Sequence, residues 1–82
     1  MNKLEGDYMR QVNIRFTSAE QVREFINIID KWEVDFKLGS ECKMVNAKSI
    51  LGVLSLDLSR PQKLNYNSGD LEIYERLRPF FA

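Results

Sequence analysis

Eighty-two residues, 44% of them hydrophobic and 29% charged, have the composition of one small soluble globular domain, and a chain this short buries only about 60–65% of the surface its unfolded state exposes. Twelve basic residues balance twelve acidic ones, so no net field draws the chain to nucleic acid or to an anionic membrane, and neither is expected as a partner. There is no histidine and a single cysteine, Cys42. That excludes an imidazole base, the common zinc ligand sets, an internal disulfide and a histidine-activated thiol, so no metal and no cofactor are expected. Residues 1–7 are too polar for a secretory signal, and the longest apolar run, 50–58, falls far short of the roughly 20 residues that span a bilayer. The expected location is the cytoplasm.

In chain order, residues 11–16 alternate with Val12, Ile14 and Phe16 on one side, which predicts a half-buried first strand. Thr17 with Glu20 and Ser18 with Gln21 form two overlapping capping boxes that predict a helix start. Val22, Phe25, Ile26 and Ile29 follow at helical spacing as one apolar stripe, with Trp32 closing the helix. Alternation returns at Val34, Phe36 and Leu38, then Gly39-Ser40 predicts a reversal into a strand over residues 42–47.

Ser49 is a good N-cap for the dense apolar segment 50–58, which predicts a short second helix stopped by Arg60-Pro61. Residues 62–67 alternate again through Leu64 and Tyr66. Asn67-Ser68-Gly69-Asp70 then caps a last helix carrying Leu71, Tyr74 and Leu77, which Pro79 ends. The carboxylates of Asp30, Glu33 and Asp35 have the pattern of a solvated rim, and Tyr8, Trp32, Tyr66 and Tyr74 lack the basic cluster of a nucleic-acid surface. The order β-α-β-β-α-β-α, with one polar face per strand, predicts an α+β domain spanning residues 1–82, in which an antiparallel sheet is covered by helices on one side. Residues 1–10 are expected to be a loosely ordered N-terminal extension.

The stretch Val45-Asn46-Ala47-Lys48-Ser49-Ile50-Leu51-Gly52-Val53-Leu54-Ser55-Leu56 resembles the signature around the regulatory serine of the HPr family, the phosphocarriers of the bacterial sugar phosphotransferase system. The element order is also that of the family, so the resemblance implies an HPr-like two-layer open-faced sandwich with a four-stranded antiparallel sheet and three helices on one face. In the family a phosphocarrier histidine lies in a Gly-x-His-Ala-Arg-Pro loop at the start of the first helix. Counting back from Trp32 places Ser18 at the histidine position, Glu20 at the arginine and Gln21 at the proline. A serine hydroxyl lacks imidazole's reversible N-phosphorylation, and Glu20 would repel a phosphate by about 1–4 kcal/mol at roughly 4 Å. The resemblance therefore implies a member without histidine phosphotransfer and no catalytic residue.

Ser49 matches the serine that an ATP-dependent HPr kinase modifies in some members. A phosphoserine at a helix start gains roughly 0.3–2 kcal/mol from the dipole and free amides, and Lys48 adds a cation. The alternative for Ser49 is capping alone, worth about 1 kcal/mol over alanine. By similarity Ile50, Leu51 and Leu54, beside Lys48, are the candidate contact patch for a protein partner, with core or dimer packing as the alternative. The implied function is a regulatory or protein-interaction domain, its partner an HPr kinase-like enzyme or a transcription regulator, and its state a monomer or weak homodimer. A residual phosphocarrier acting through Ser18, or a self-associating structural domain, are the alternatives.

Overall fold

The computed structural model describes residues 9–82, and its architecture follows from a single rule: each strand turns its apolar side the same way. The elements run β1 (Met9–Ile14), α1 (Ala19–Ile29), β2 (Phe36–Gly39), β3 (Met44–Asn46), α2 (Ile50–Leu54), β4 (Gln62–Asn67) and α3 (Leu71–Leu77), with a 3-10 turn at Arg78–Phe80. All strand pairs are antiparallel and the sheet order is β1-β4-β2-β3. This is the open-faced α+β sandwich and the element order that the sequence predicts.

Strand pairing places Val12 opposite Leu64, Leu64 opposite Leu38 and Leu38 opposite Val45, so one apolar row crosses the whole sheet. Ile14, Phe36 and Tyr66 lie on the same face and are buried. The alternate positions, Gln11, Asn13, Lys37, Asn46, Lys63, Asn65 and Asn67, form the open polar face. Above the apolar face α1 lies between α2 and α3 and buries Val22, Phe25 and Ile29, three of the four residues of the predicted stripe; Ile26 is partly buried at its edge. Phe16, Phe25 and Phe80 meet edge to face with centroids 5.2–6.2 Å apart, a favoured aromatic geometry that ties the α1 start to the C-terminal turn.

Several element boundaries differ from expectation, each for a local reason. β1 starts at Met9, inside the expected extension, whose first eight residues lie outside those described. It stops at Ile14 because the next amide, Arg15 N–H, donates to the Phe80 carbonyl at 2.9 Å, leaving Phe16 to enter the aromatic trio from a loop. α1 ends at Ile29, and Trp32 closes a tighter turn after it, its N–H reaching the Ile29 carbonyl at 3.2 Å.

β2 pairs only from Phe36, so Val34 packs against the core from the preceding loop. In the hairpin Ser40 and Lys43 exchange backbone bonds of 2.9 and 3.2 Å, which leaves Glu41 and Cys42 at the tip and starts β3 at Met44 rather than at Cys42. Gly39 is required there: its φ is +155° and a Cβ would lie 2.0 Å from the Lys43 carbonyl oxygen.

α2 is five residues long and ends at Leu54, not at Leu58. The Ser55 hydroxyl donates to the Gly52 carbonyl at 2.6 Å, a side-chain bond that competes with helix continuation. The following loop has its own anchor, because buried Gln62 donates through Nε2 to the carbonyls of Asp57 at 2.7 Å and Arg60 at 2.9 Å. α3 carries Leu71, Tyr74 and Leu77 as expected but buries Ile73 and Leu77; Leu71 is exposed and Tyr74 packs edge to face on Phe81 at 5.1 Å. α3 ends at Leu77, two residues before Pro79 as expected, and Pro79 sits inside the 3-10 turn that follows, where its missing N–H costs nothing.

Tyr66 is buried, yet its hydroxyl has no hydrogen-bond partner among the described residues. Removing a buried hydroxyl that bonds to nothing is neutral to stabilising, so Tyr66→Phe is expected to raise the unfolding free energy by up to about 1 kcal/mol in urea denaturation. Burial raises the pKa of this hydroxyl, with the Arg10 charge opposing it. The unfolded state therefore ionises first, so stability holds below about pH 10 and falls above it, and the fall is expected to be shallower in Tyr66→Phe.

Candidate functional site

Two serine caps frame the covered side of the molecule. At the start of α1 the Ser18 Oγ accepts the Gln21 N–H at 3.2 Å, and the Gln21 Oε1 reaches back to accept from the Thr17 N–H at 2.9 Å and the Thr17 hydroxyl at 3.1 Å. Of the two predicted boxes, the one from Ser18 to Gln21 forms, with its return bond one residue further out than usual. Thr17 bonds Gln21 and not Glu20, whose carboxylate stands exposed in the first helical turn.

At the start of α2 the Ser49 Oγ accepts the Gly52 N–H at 3.1 Å, while the Ser49 N–H donates to the Asn46 carbonyl at 3.0 Å. The Asn46 side chain adds a second clamp by accepting the Lys48 N–H at 2.9 Å. Gly52 lets this turn settle onto β3, since a Cβ there would crowd the Ser49 Oγ at 3.3 Å and the Val45 Cβ at 3.4 Å. Ser49 is thus an exposed, structurally employed cap.

Lys48 does not stand as a free cation beside Ser49. Its Nζ donates to the Trp32 carbonyl at 2.6 Å and lies 5.7 Å from the centre of the Phe36 ring, tying the turn before α2 to the end of α1. A helix of five residues also carries a much smaller aligned dipole than the longer one expected, so two of the supports for a phosphoserine at this position are weaker than the sequence suggests.

The apolar residues of α2 divide sharply. Val53 alone is buried, while Ile50, Leu51 and Leu54 are 37%, 79% and 47% exposed. Leu56 and Leu58, expected on the helix, pack partly against the core from the loop beyond it. Leu54 and Leu58 face residues 16–19 and Ser59 across a cleft of about 320 Å³, which brings Ser18 and the far end of α2 together. Ser49 lies at the opposite end of α2, outside this cleft. Asp30, Glu33 and Asp35 are all exposed, and no group of three or more metal-ligating side chains occurs among the described residues. The clamp from Asn46 to Lys48 has no distinct pattern in the sequence, because a polar side chain two residues from its partner is equally common in loops.

No family model matches this chain, and no curated protein does. Among solved structures, the chain superposes on a phosphocarrier protein HPr from Bacillus anthracis with a TM-score of 0.69 and 22% identity, covering 90% of this chain and 95% of that one. At this identity the likeness establishes the fold: the chain has the HPr-like α+β architecture. No described helix is long and apolar enough to cross a membrane.

Because both serines are exposed caps that each satisfy one helix-terminal amide, Ser18→Ala and Ser49→Ala are each expected to lower stability by about 1 kcal/mol in urea denaturation. A loss below about 0.3 kcal/mol at either position would show that its cap bond contributes little in solution.

Proposed function

We propose that this chain is a non-catalytic HPr-like regulatory or protein-interaction domain related to the phosphotransferase system, working in the cytoplasm through the strip formed by Ser49, Ile50, Leu51 and Leu54. The observation that carries the proposal is the exposure of three adjoining aliphatic side chains on a helix that commits only Val53 to the core. Leaving such side chains in water forgoes roughly 25 cal/mol for each Å² of apolar surface, and a partner surface would recover it.

The absence of histidine from the sequence supports a role without histidine phosphotransfer. The use of the Ser18 hydroxyl as a cap, with Glu20 exposed beside it, argues in the same direction. Ser49 is the modification candidate of the strip. A phosphate there would place about −1.5 to −2 charges next to Ile50 and Leu51 and would displace the cap bond to Gly52, so its effect on docking would be direct. By resemblance the partner is an HPr kinase-like enzyme or a transcription regulator.

The test is a pull-down from native cytosol using the unaltered domain, Leu51→Asp and Ser49→Ala, with folding checked by amide dispersion in NMR spectra. The expected result is a partner retained by Ser49→Ala and lost with Leu51→Asp. Retention of every partner by a folded Leu51→Asp domain would remove the α2 strip as the docking surface. Incubation with an HPr kinase and ATP, followed by mass spectrometry, is expected to place one phosphate on Ser49. An unmodified Ser49 would remove the switch while leaving the binding module.

A further inference from the structure

We propose that the cleft at the hairpin end of the sheet binds a small molecule bearing a phosphate dianion, held by Lys43, Arg60 and Lys63. This cleft of about 460 Å³ shares no lining residue with the one beside α2. Its cations arrive from separate segments: Lys43 from the β2–β3 hairpin, Arg60 from the loop after α2 and Lys63 from β4. Three cations outnumber the single carboxylate of this lining, so the concavity favours an anion, and the Arg60 guanidinium is able to grip two phosphate oxygens at once.

The lining holds one carboxylate, Asp57, which stays ionised and offsets one of the three cations. The Asp57 Oδ1 accepts the Ser59 hydroxyl at 2.6 Å and the Ser59 N–H at 3.2 Å, and these bonds hold its carboxyl below the usual carboxylate range. Glu41 lies outside the lining and meets Lys63 at 3.2 Å from an exposed position at the hairpin tip, where water screens the pair. Ser40 adds a hydroxyl donor to the lining.

The backbone that carries these groups is hydrogen-bonded in each of its three segments. Lys63 is paired in register with Gly39 on one side and Asn13 on the other. The hairpin is closed by the reciprocal bonds of Ser40 and Lys43. The Arg60 loop is pinned by the two bonds from the Gln62 amide. A site whose backbone is held before the ligand arrives loses little entropy on binding.

The test is a titration of ¹⁵N-labelled protein with inorganic phosphate and, separately, glycerol 2-phosphate at about pH 7.5, where the monoester is mostly dianionic. Ionic strength is held constant with chloride, and free glycerol is the control. Saturable shifts are expected at Ser40, Lys43 and residues 55–63 with both phosphates. A Lys43→Gln/Arg60→Gln double variant is expected to weaken binding at least about tenfold, and Glu41→Gln to tighten it about twofold by freeing Lys63. These side chains belong to exposed residues, so the variants should keep the native spectrum elsewhere. Shifts that do not saturate, equal saturation by chloride, or unchanged affinity in the folded double variant would each overturn the proposal. None of these results bears on docking at α2.

Discussion

Leu64 occupies the position on which the rest of the molecule depends. It lies on β4, which pairs with both β1 and β2, and it is the middle of the row that joins Val12, Leu38 and Val45. Because side chains alternate along a strand, a slip of one residue on β4 would turn Lys63 and Asn65 into the core and Leu64 and Tyr66 to water. The register is therefore held by the hydrophobic effect acting across the sheet. Once it is held, only one face offers apolar surface for α1, α2 and α3 to cover. The loops that enter α1 and leave α2 then converge at one edge of the helical layer, which is how Ser18 and Leu54 come to line one cleft.

The exposure of the α2 strip follows from the same geometry. A five-residue helix makes little more than one turn, so it can direct only a narrow arc at the sheet, and Val53 fills that arc. Ile50, Leu51 and Leu54 are left outside because the helix has no second turn with which to tilt them inward. Ala47 is buried just before it and Gly52 rests close to Val45, so the backbone of α2 sits low on the sheet and presents its side chains outward. Lys48 fastens this arrangement to the end of α1 through the Trp32 carbonyl.

Much of the fold was legible because local and long-range signals coincide. The β4 alternation reproduces Gln62–Asn67 in full, the Ser49 cap lies where expected, and the other two caps, Ser18 and Asp70, fall within the capping segments the sequence offers. Helix ends were less legible: nothing in the composition of residues 50–58 reveals that the Ser55 hydroxyl takes a helix carbonyl or that distant Gln62 stabilises the loop instead. On α3 the spacing of Leu71, Tyr74 and Leu77 is as helical as that of Ile73 and Leu77, so periodicity alone does not single out the buried pair. The candidate site was read from family resemblance and from apolar density at α2. Lys48 shows the limit of such a reading, since the partner its ammonium selects lies sixteen residues away in sequence. A solved structure sharing 22% identity has this fold, as expected where one-sided burial leaves the outer face free to change.

The tryptophan at the end of α1 gives this molecule a natural optical gauge. Trp32 is the sole indole in the sequence, packs partly against the core, and lends its carbonyl to the lysine that precedes the Ser49 cap. Because the ring is partly buried, an event that exposes it to water shifts its emission to the red. Its emission therefore follows the packing of the core beyond α1, with no dye and no altered residue, in a protein otherwise lit only by tyrosines.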